Sequence, residues 1–163
     1  MANATVDEWV KETQRRIEAV VKTAVQSVAT ESNKAVGAGG QMRVDTGFFR
    51  ASQAGQVGSM PSGETAPDKA TAAKDKATAA KDKATAAKHS KARDAERKKA
   101  QAVAANEVSF KLLAWDLKDP FYIGWTANYA RYREMHDGFL KTQTQNWQKH
   151  VDAAAAKAKA RNI

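Results

Sequence analysis

The middle of the chain repeats itself without error. Asp68-Lys69-Ala70-Thr71-Ala72-Ala73-Lys74 recurs over residues 75–81 and again over 82–88. Ala70, Ala73, Ala77, Ala80, Ala84 and Ala87 are spaced 3-4-3-4, which lines them up as one straight seam along a helix. Pro67 and Asp68 suit the first turn of that helix, because proline lacks only an amide that would be unpaired anyway and a carboxylate suits the positive dipole end. A seam of methyl groups permits close helix–helix approach but buries little area. At roughly 25 cal/mol per Å2, alanine contributes far less than the Leu or Ile of an ordinary coiled coil. The repeat therefore predicts a solvated helix, ordered mainly against a partner.

The repeat also explains the charge. The chain carries a formal +9, but residues 68–99 hold nine Lys and two Arg against four Asp and one Glu, a net +6. The basicity belongs mainly to one segment and says little about the folded core. Each heptad nets only +1 and has neither arginine nor an aromatic ring on which a base could stack. The denser run over 88–99 is the better candidate for phosphate contact, through Lys91, Arg93, Arg97, Lys98 and Lys99.

Around this segment the pattern is that of one modest domain. Its 163 residues suffice for a single core, with 60–105 as an inserted, low-complexity helical stretch. Thr5-Val6-Asp7-Glu8 has capping-box form, a hydroxyl followed three residues later by a carboxylate. Val6, Val10, Ile17, Val20, Val21, Ala24 and Val28 then recur near the 3.6 period of one buried face. A helix of about 30 residues, some 45 Å long, is predicted, ended by the stretch from Asn33 to Gly40, whose closing glycines tolerate the dihedrals that end a helix.

Asp45-Thr46-Gly47 is turn chemistry, able to cap a short helix carrying Phe48 and Phe49. A short strand is expected over 54–57, then a loop over 58–67. Val103, Val108, Phe110, Leu112, Leu113, Trp115 and Leu117 predict that the repeat helix rejoins the body, with Asp119-Pro120 ending it. Phe121-Tyr122-Ile123-Gly124-Trp125 reads as a strand, 129–136 as a short helix stopped at Asp137-Gly138, and 139–161 as a last helix. The fold class is thus α+β and mostly helical: a long N-terminal helix, a small sheet or hairpin, a long Ala/Lys-rich helix and a C-terminal helix.

Catalytic patterns are scarce. The chain has no cysteine, which removes disulfides, thiolate metal sites and cysteine nucleophiles together. His89, His136 and His150 have no second ligand at helical spacing, and Glu134 and His136, two apart, face different ways on a helix. No Gly-x-Ser-x-Gly elbow and no phosphate-cradling glycine loop occurs. Asp45-Thr46-Gly47 matches the aspartic-protease triplet, but that site needs a second carboxylate in an all-β frame. The sequence predicts neither an enzyme nor a cofactor, and no stretch approaches the roughly 18 apolar residues of a membrane helix. The aromatic residues are expected in the core or at subunit contacts. With so little apolar matter elsewhere, an oligomer accounts for them better than a monomer.

Taken in order, these motifs resemble the small tail-completion, or minor neck, proteins of long-tailed bacteriophages. That family combines an N-terminal helix with a Val-Asp-Thr-Gly-aromatic-x-Arg-x-Ser signature. An insert-prone middle follows, then a strand leading to Tyr-Ala-x-x-x-Glu-x-Gly, and a final helix with Trp-Gln near its centre. Val44-Asp45-Thr46-Gly47-Phe48-Phe49-Arg50-Ala51-Ser52 is similar to the first signature, and Tyr122-Ile123 through Tyr129-Ala130-Arg131 to the strand and Tyr-Ala element. Glu134-Met135-His136-Asp137-Gly138 is a stretched Glu-x-Gly, and Gln145-Asn146-Trp147-Gln148 resembles the centre of the last helix. The likeness covers most of the chain outside residues 60–105.

The resemblance implies a structural protein of the virion, made in the host cytoplasm and built into the head–tail interface. It would form a homo-oligomeric ring, expected to be sixfold, beside other neck and tail proteins. Its mechanism would be surface complementarity. Asp45, Thr46, Gly47 and Arg50 would shape the signature turn, and Trp9, Phe48, Phe49, Trp125, Tyr129 and Trp147 would anchor core or interface. Two alternatives differ in kind: a tail terminator, also a ring-forming αβ protein, and a DNA-binding accessory protein using the basic 88–99 segment without reading bases.

Overall fold

The computed structural model describes residues 5–43, 48–62 and 83–161. The Asp45-Thr46-Gly47 turn, the first two heptads and the Pro67-Asp68 helix start lie outside the described residues. Within them the chain is a mostly helical α+β protein. Among the described residues, helix α1 spans Val6–Ser32, α2 Phe48–Ala51, α3 Lys83–Ala114, α4 Ala130–Asp137, α5 Phe139–Gln145 and α6 Trp147–Ala160, with a 3-10 turn at Val36–Ala38 and strands β1 Gln53–Val57 and β2 Phe121–Trp125.

Helix α1 begins as its sequence dictates. Glu8 N–H donates to the Thr5 hydroxyl, and the Glu8 carboxylate accepts from Thr5 N–H at 2.8 Å, so both halves of the capping box form. Its end falls where the sequence predicts, at Asn33, the first residue of the terminating stretch, and the buried Asn33 side chain donates to the Arg50 carbonyl. The glycines serve the following loop. Gly40 passes so close to the Lys34 carbonyl that a Cβ there would lie 2.0 Å from its oxygen, and this closeness lets Met42 N–H donate to Lys34 O.

The expected buried face of α1 is only half covered. Ala24 and Val28 are buried, whereas Val6 is 77%, Trp9 65% and Ile17 56% exposed. Helix α6 runs antiparallel along the covered half, from His150 beside Ser27 to Arg161, which lines one groove with Arg15. Helix α3 flanks the same half: Lys22 Nζ donates to Leu113 O, an orphan carbonyl of the last turn, and the Ser109 hydroxyl donates to Gln26.

The strands pair antiparallel in a two-stranded sheet, with Gln53 opposite Trp125 and Val57 opposite Phe121. Two apolar clusters flank it. One joins Ala29, Val108 and Leu112 to Val25, Trp115, Phe121 and Ile123; the other joins Met42, Phe49, Ala127 and Phe139 to Trp125, Ala130 and Leu140. Phe121, Ile123 and Trp125 share one face of β2 by the period of two, so a single strand face serves both clusters.

Two boundaries correct the sequence reading. Helix α3 ends at Ala114, before Asp119-Pro120: Leu117 takes a left-handed φ of 63° and Trp115 Nε1 donates to Asp119 O at 2.7 Å. The final helix is interrupted at Asn146, whose side-chain amide donates to the same Thr142 carbonyl as its backbone N–H. An asparagine side chain competing for a helix carbonyl perturbs one residue without ending the run.

Candidate functional site

The segments that carry the signature meet around Phe49. Its ring is 6% exposed and lies 5.3 Å from Phe139, 5.6 Å from Tyr129 and 6.1 Å from Trp125, centroid to centroid. Trp125 and Phe139 meet edge to face at 4.8 Å. Offset and edge-on pairs of this kind are each worth about 0.5–1.5 kcal/mol beyond the area they bury. Residues from α2, β2, the turn before α4 and the start of α5 thus form one aromatic knot.

Polar side chains lock the backbone around it. Arg50 Nε donates to Asn33 O at 2.8 Å while Asn33 Nδ2 donates back to Arg50 O at 3.1 Å, fastening α2 to the end of α1. Trp125 Nε1 reaches Asn33 Oδ1 at 3.5 Å, and Gln53 Nε2 donates to Ala29 O, which also accepts from Asn33 N–H at the end of α1. Ser52, wholly buried, donates its hydroxyl to Phe49 O, and its own carbonyl accepts from Thr126 N–H at 2.9 Å. Arg50 and Ser52, the last polar members of the signature, therefore bind backbone and leave no reactive group displayed.

A second lock holds the stretched Glu-x-Gly element. Gly138 adopts φ 60°, ending α4 and opening α5 in one residue, a conformation that glycine reaches at least cost. This turn brings Glu134 over the start of α5, where its carboxylate accepts from Leu140 N–H at 3.0 Å and Lys141 N–H at 2.8 Å. The extra residues of the element thus build a cap. Beside it the Asp137 carboxylate, 2% exposed, pairs with Arg133 Nη2 at 3.1 Å and Arg43 Nε at 3.6 Å, and accepts from Arg43 N–H. Arg133 also donates to Arg43 O, so α4 grips the chain just ahead of the Val44–Ser52 signature.

The structure brings together Phe49, Arg50, Trp125 and Tyr129 among the residues singled out from sequence. It leaves Trp9 and Trp147 apart on the surface, 65% and 41% exposed, so neither is a core anchor. Phe48 opens α2. Lys91, Arg93 and Arg97 fall within α3, and Lys98 and Lys99 are exposed on it. Asn33, Met42, Glu134, Asp137 and Phe139 complete the knot and its locks. Of these, the helix-ending position of Asn33, the Glu-to-Gly spacing and the aromatic character of Phe139 carried a signal in the sequence.

His150 is buried with both ring nitrogens occupied, Nδ1 2.9 Å from the Ser27 hydroxyl and Nε2 3.1 Å from Gln143 Oε1. This network assigns the proton to Nε2 and makes Nδ1 the acceptor of the serine hydroxyl, fixing α6 to α1. Among the described residues no group of three or more His, Cys, Asp or Glu could hold a metal ion, and no helix is long and apolar enough to cross a membrane. A shallow groove of about 480 Å3 between α1, α3 and α6 is lined by Arg15, Lys22, Lys157 and Arg161 with one acid, Glu18, which pairs with Lys22. No protein-family model, no curated protein and no solved structure matches the chain.

Proposed function

We propose that this chain is a structural, non-enzymatic protein of the phage head–tail interface, a tail-completion or neck protein. It assembles as a homo-oligomeric ring, expected to be sixfold, with other neck and tail proteins, and makes the finished tail competent to join the DNA-filled head. The observation that supports the reading is the convergence around Phe49. Part of the first signature, at 48–52, lies far in sequence from the consecutive strand, Tyr-Ala element and stretched Glu-x-Gly of 121–138, yet together they supply the rings and backbone locks of one knot. Motifs that recur together for a structural reason behave this way. Their polar members hold backbone, and the work left to the molecule is presentation of surface.

The test is electron microscopy of particles from a phage with an early stop codon in this gene. DNA-filled heads beside separate tails of normal length are expected. Overlong tails would reassign the protein as a terminator, and intact infectious virions would overturn both readings. In that last case salt-sensitive DNA binding through Lys98 and Lys99, exposed on α3, becomes the leading alternative.

A further inference from the structure

We propose that the groove between α1, α3 and α6 is a docking site for a partner protein, which lays into it a short helix with an apolar residue at one end and carboxylates at the other. This contact is independent of the function proposed above, because it concerns the chain in solution whatever particle it joins.

Two facing stripes build the groove. Arg15, Glu18, Ala19 and Lys22 follow one another at i, i+3, i+4 and i+7 on α1, which places them on one face. On α6 the same spacing sets Ala154, Lys157 and Ala158 in line with Arg161, the residue that caps the helix. The two helices run antiparallel, with Ser27 beside His150, so Arg15 and Arg161 share one end of the groove. Leu113 stands at the other end, where its carbonyl accepts from Lys22 Nζ at 2.9 Å. Ala154 is buried and Ala19 and Ala158 half-buried, whereas Arg15, Lys157, Arg161 and Leu113 are exposed. The groove therefore has a floor of small residues, a basic end and an apolar end. Seven residues of helix separate those ends, about 10 Å.

Charge selects the occupant. Lys22 is already answered by Glu18 and by the Leu113 carbonyl. Arg15, Lys157 and Arg161 make no ion pair among the described residues. The C-terminal ends of α3 and α6 both point here, but a helix end carries only about half a negative charge, so together they offset about one cation of the three. About two positive charges stay unanswered. Two carboxylates on a partner complement them, and an apolar side chain two helical turns away covers Leu113. One helix face supplies both, with the apolar residue at i and the acids at i+7 and i+8.

A DNA duplex matches the groove less well. The Glu18 carboxylate lies between Arg15 and Lys22, where it repels phosphate. A phosphate backbone also brings no apolar surface to Leu113 or to the alanine floor.

The probe is a fluorescent, end-capped, alanine-based peptide of about 16 residues, with one leucine followed seven and eight residues later by glutamates. Fluorescence anisotropy against the full chain is expected to show saturable binding. Arg15→Glu/Arg161→Glu should weaken it about tenfold or more, and Leu113→Gln about threefold or more. Lys98→Glu/Lys99→Glu makes the same change in net charge away from the groove and should leave binding within about twofold of the parent. A peptide with lysines in place of the glutamates should reverse the order and prefer Arg15→Glu/Arg161→Glu. Circular dichroism shows whether each variant keeps the parent's helical signal, as exposed and unpaired arginines predict.

No saturable binding would overturn the proposal. So would equal binding of a peptide whose glutamates face away from its leucine, or equal weakening by Lys98→Glu/Lys99→Glu, since either means general attraction to a basic chain. Duplex DNA that binds more tightly than the peptide and is lost in Arg15→Glu/Arg161→Glu would make phosphate the occupant instead. An oligomer of the chain alone that the same variant dissociates in sedimentation would make it a second copy. Either result overturns the proposal. None of these outcomes bears on the phage phenotype, so the two readings stand or fall separately.

Discussion

Asp137 shows how much of this molecule depends on single side chains that hold backbone. Its buried carboxylate answers two arginines and one amide at once. Asp137→Ala should therefore cost roughly 2–3 kcal/mol in chemical denaturation, with Arg133 left facing an empty site. Ser32 predicts the opposite sign. Its hydroxyl is fully buried and has no hydrogen-bond partner among the described residues. Ser32→Ala removes an unsatisfied group and improves helix propensity, so the unfolding free energy in the same measurement should hold or rise, by about 1 kcal/mol at most. Gly55 is a steric requirement: a Cβ there would sit 2.7 Å from the Phe121 ring, itself lodged 5.3 Å from Trp115. Gly55→Ala should cost about 1–3 kcal/mol, read from the same denaturation curves. At this scale Phe49 and Arg50 were legible, because a local motif marks them. The roles of Asn33 and Asp137 were not, because Asn33 bonds Arg50 across 17 residues and Asp137, besides its neighbour Arg133 one turn away, holds Arg43 across 94.

The elements were the most legible level. Helix α1, both strands and α4 fall within a residue or two of their periodic patterns, since a cap, an alternation or a glycine defines each locally. Periodicity alone does not say how far an apolar stripe is covered by its own chain: α1 is amphipathic along its length, and the described body reaches only half of it. The break at Asn146 was hidden because an asparagine inside a helix disturbs it only if its side chain finds a carbonyl, and Thr142 supplies one. The backbone ladder still passes through, Asn146 N–H to Thr142 O and His150 N–H to Asn146 O. Asn146→Ala should consequently merge α5 and α6, deepen the helical ellipticity and stabilise by about 0.5 kcal/mol.

For the whole molecule, the split between a compact body and a basic helix separates the candidate functions. If α3 touches DNA at all, phosphate contact alone should govern it. Filter binding to duplex DNA should weaken steeply with salt, and Lys98→Glu/Lys99→Glu should reduce the log–log slope by about two without altering sequence preference. The register of the sheet has a further consequence for this helix. Val57 lies opposite Phe121, and α3 is packed into the body from Ala104 through Val108 and Leu112, so the stretch of sequence between β1 and that packed part is an excursion pinned at both ends. Such an excursion is a loop closed at its base, and the entropy of closing a loop grows only logarithmically, at about 0.6 kcal/mol for each doubling of length. Heptads can therefore be gained or lost there almost without penalty to the fold. The middle of this protein is the part whose reach can drift from one generation to the next while the knot around Phe49 stays as it is.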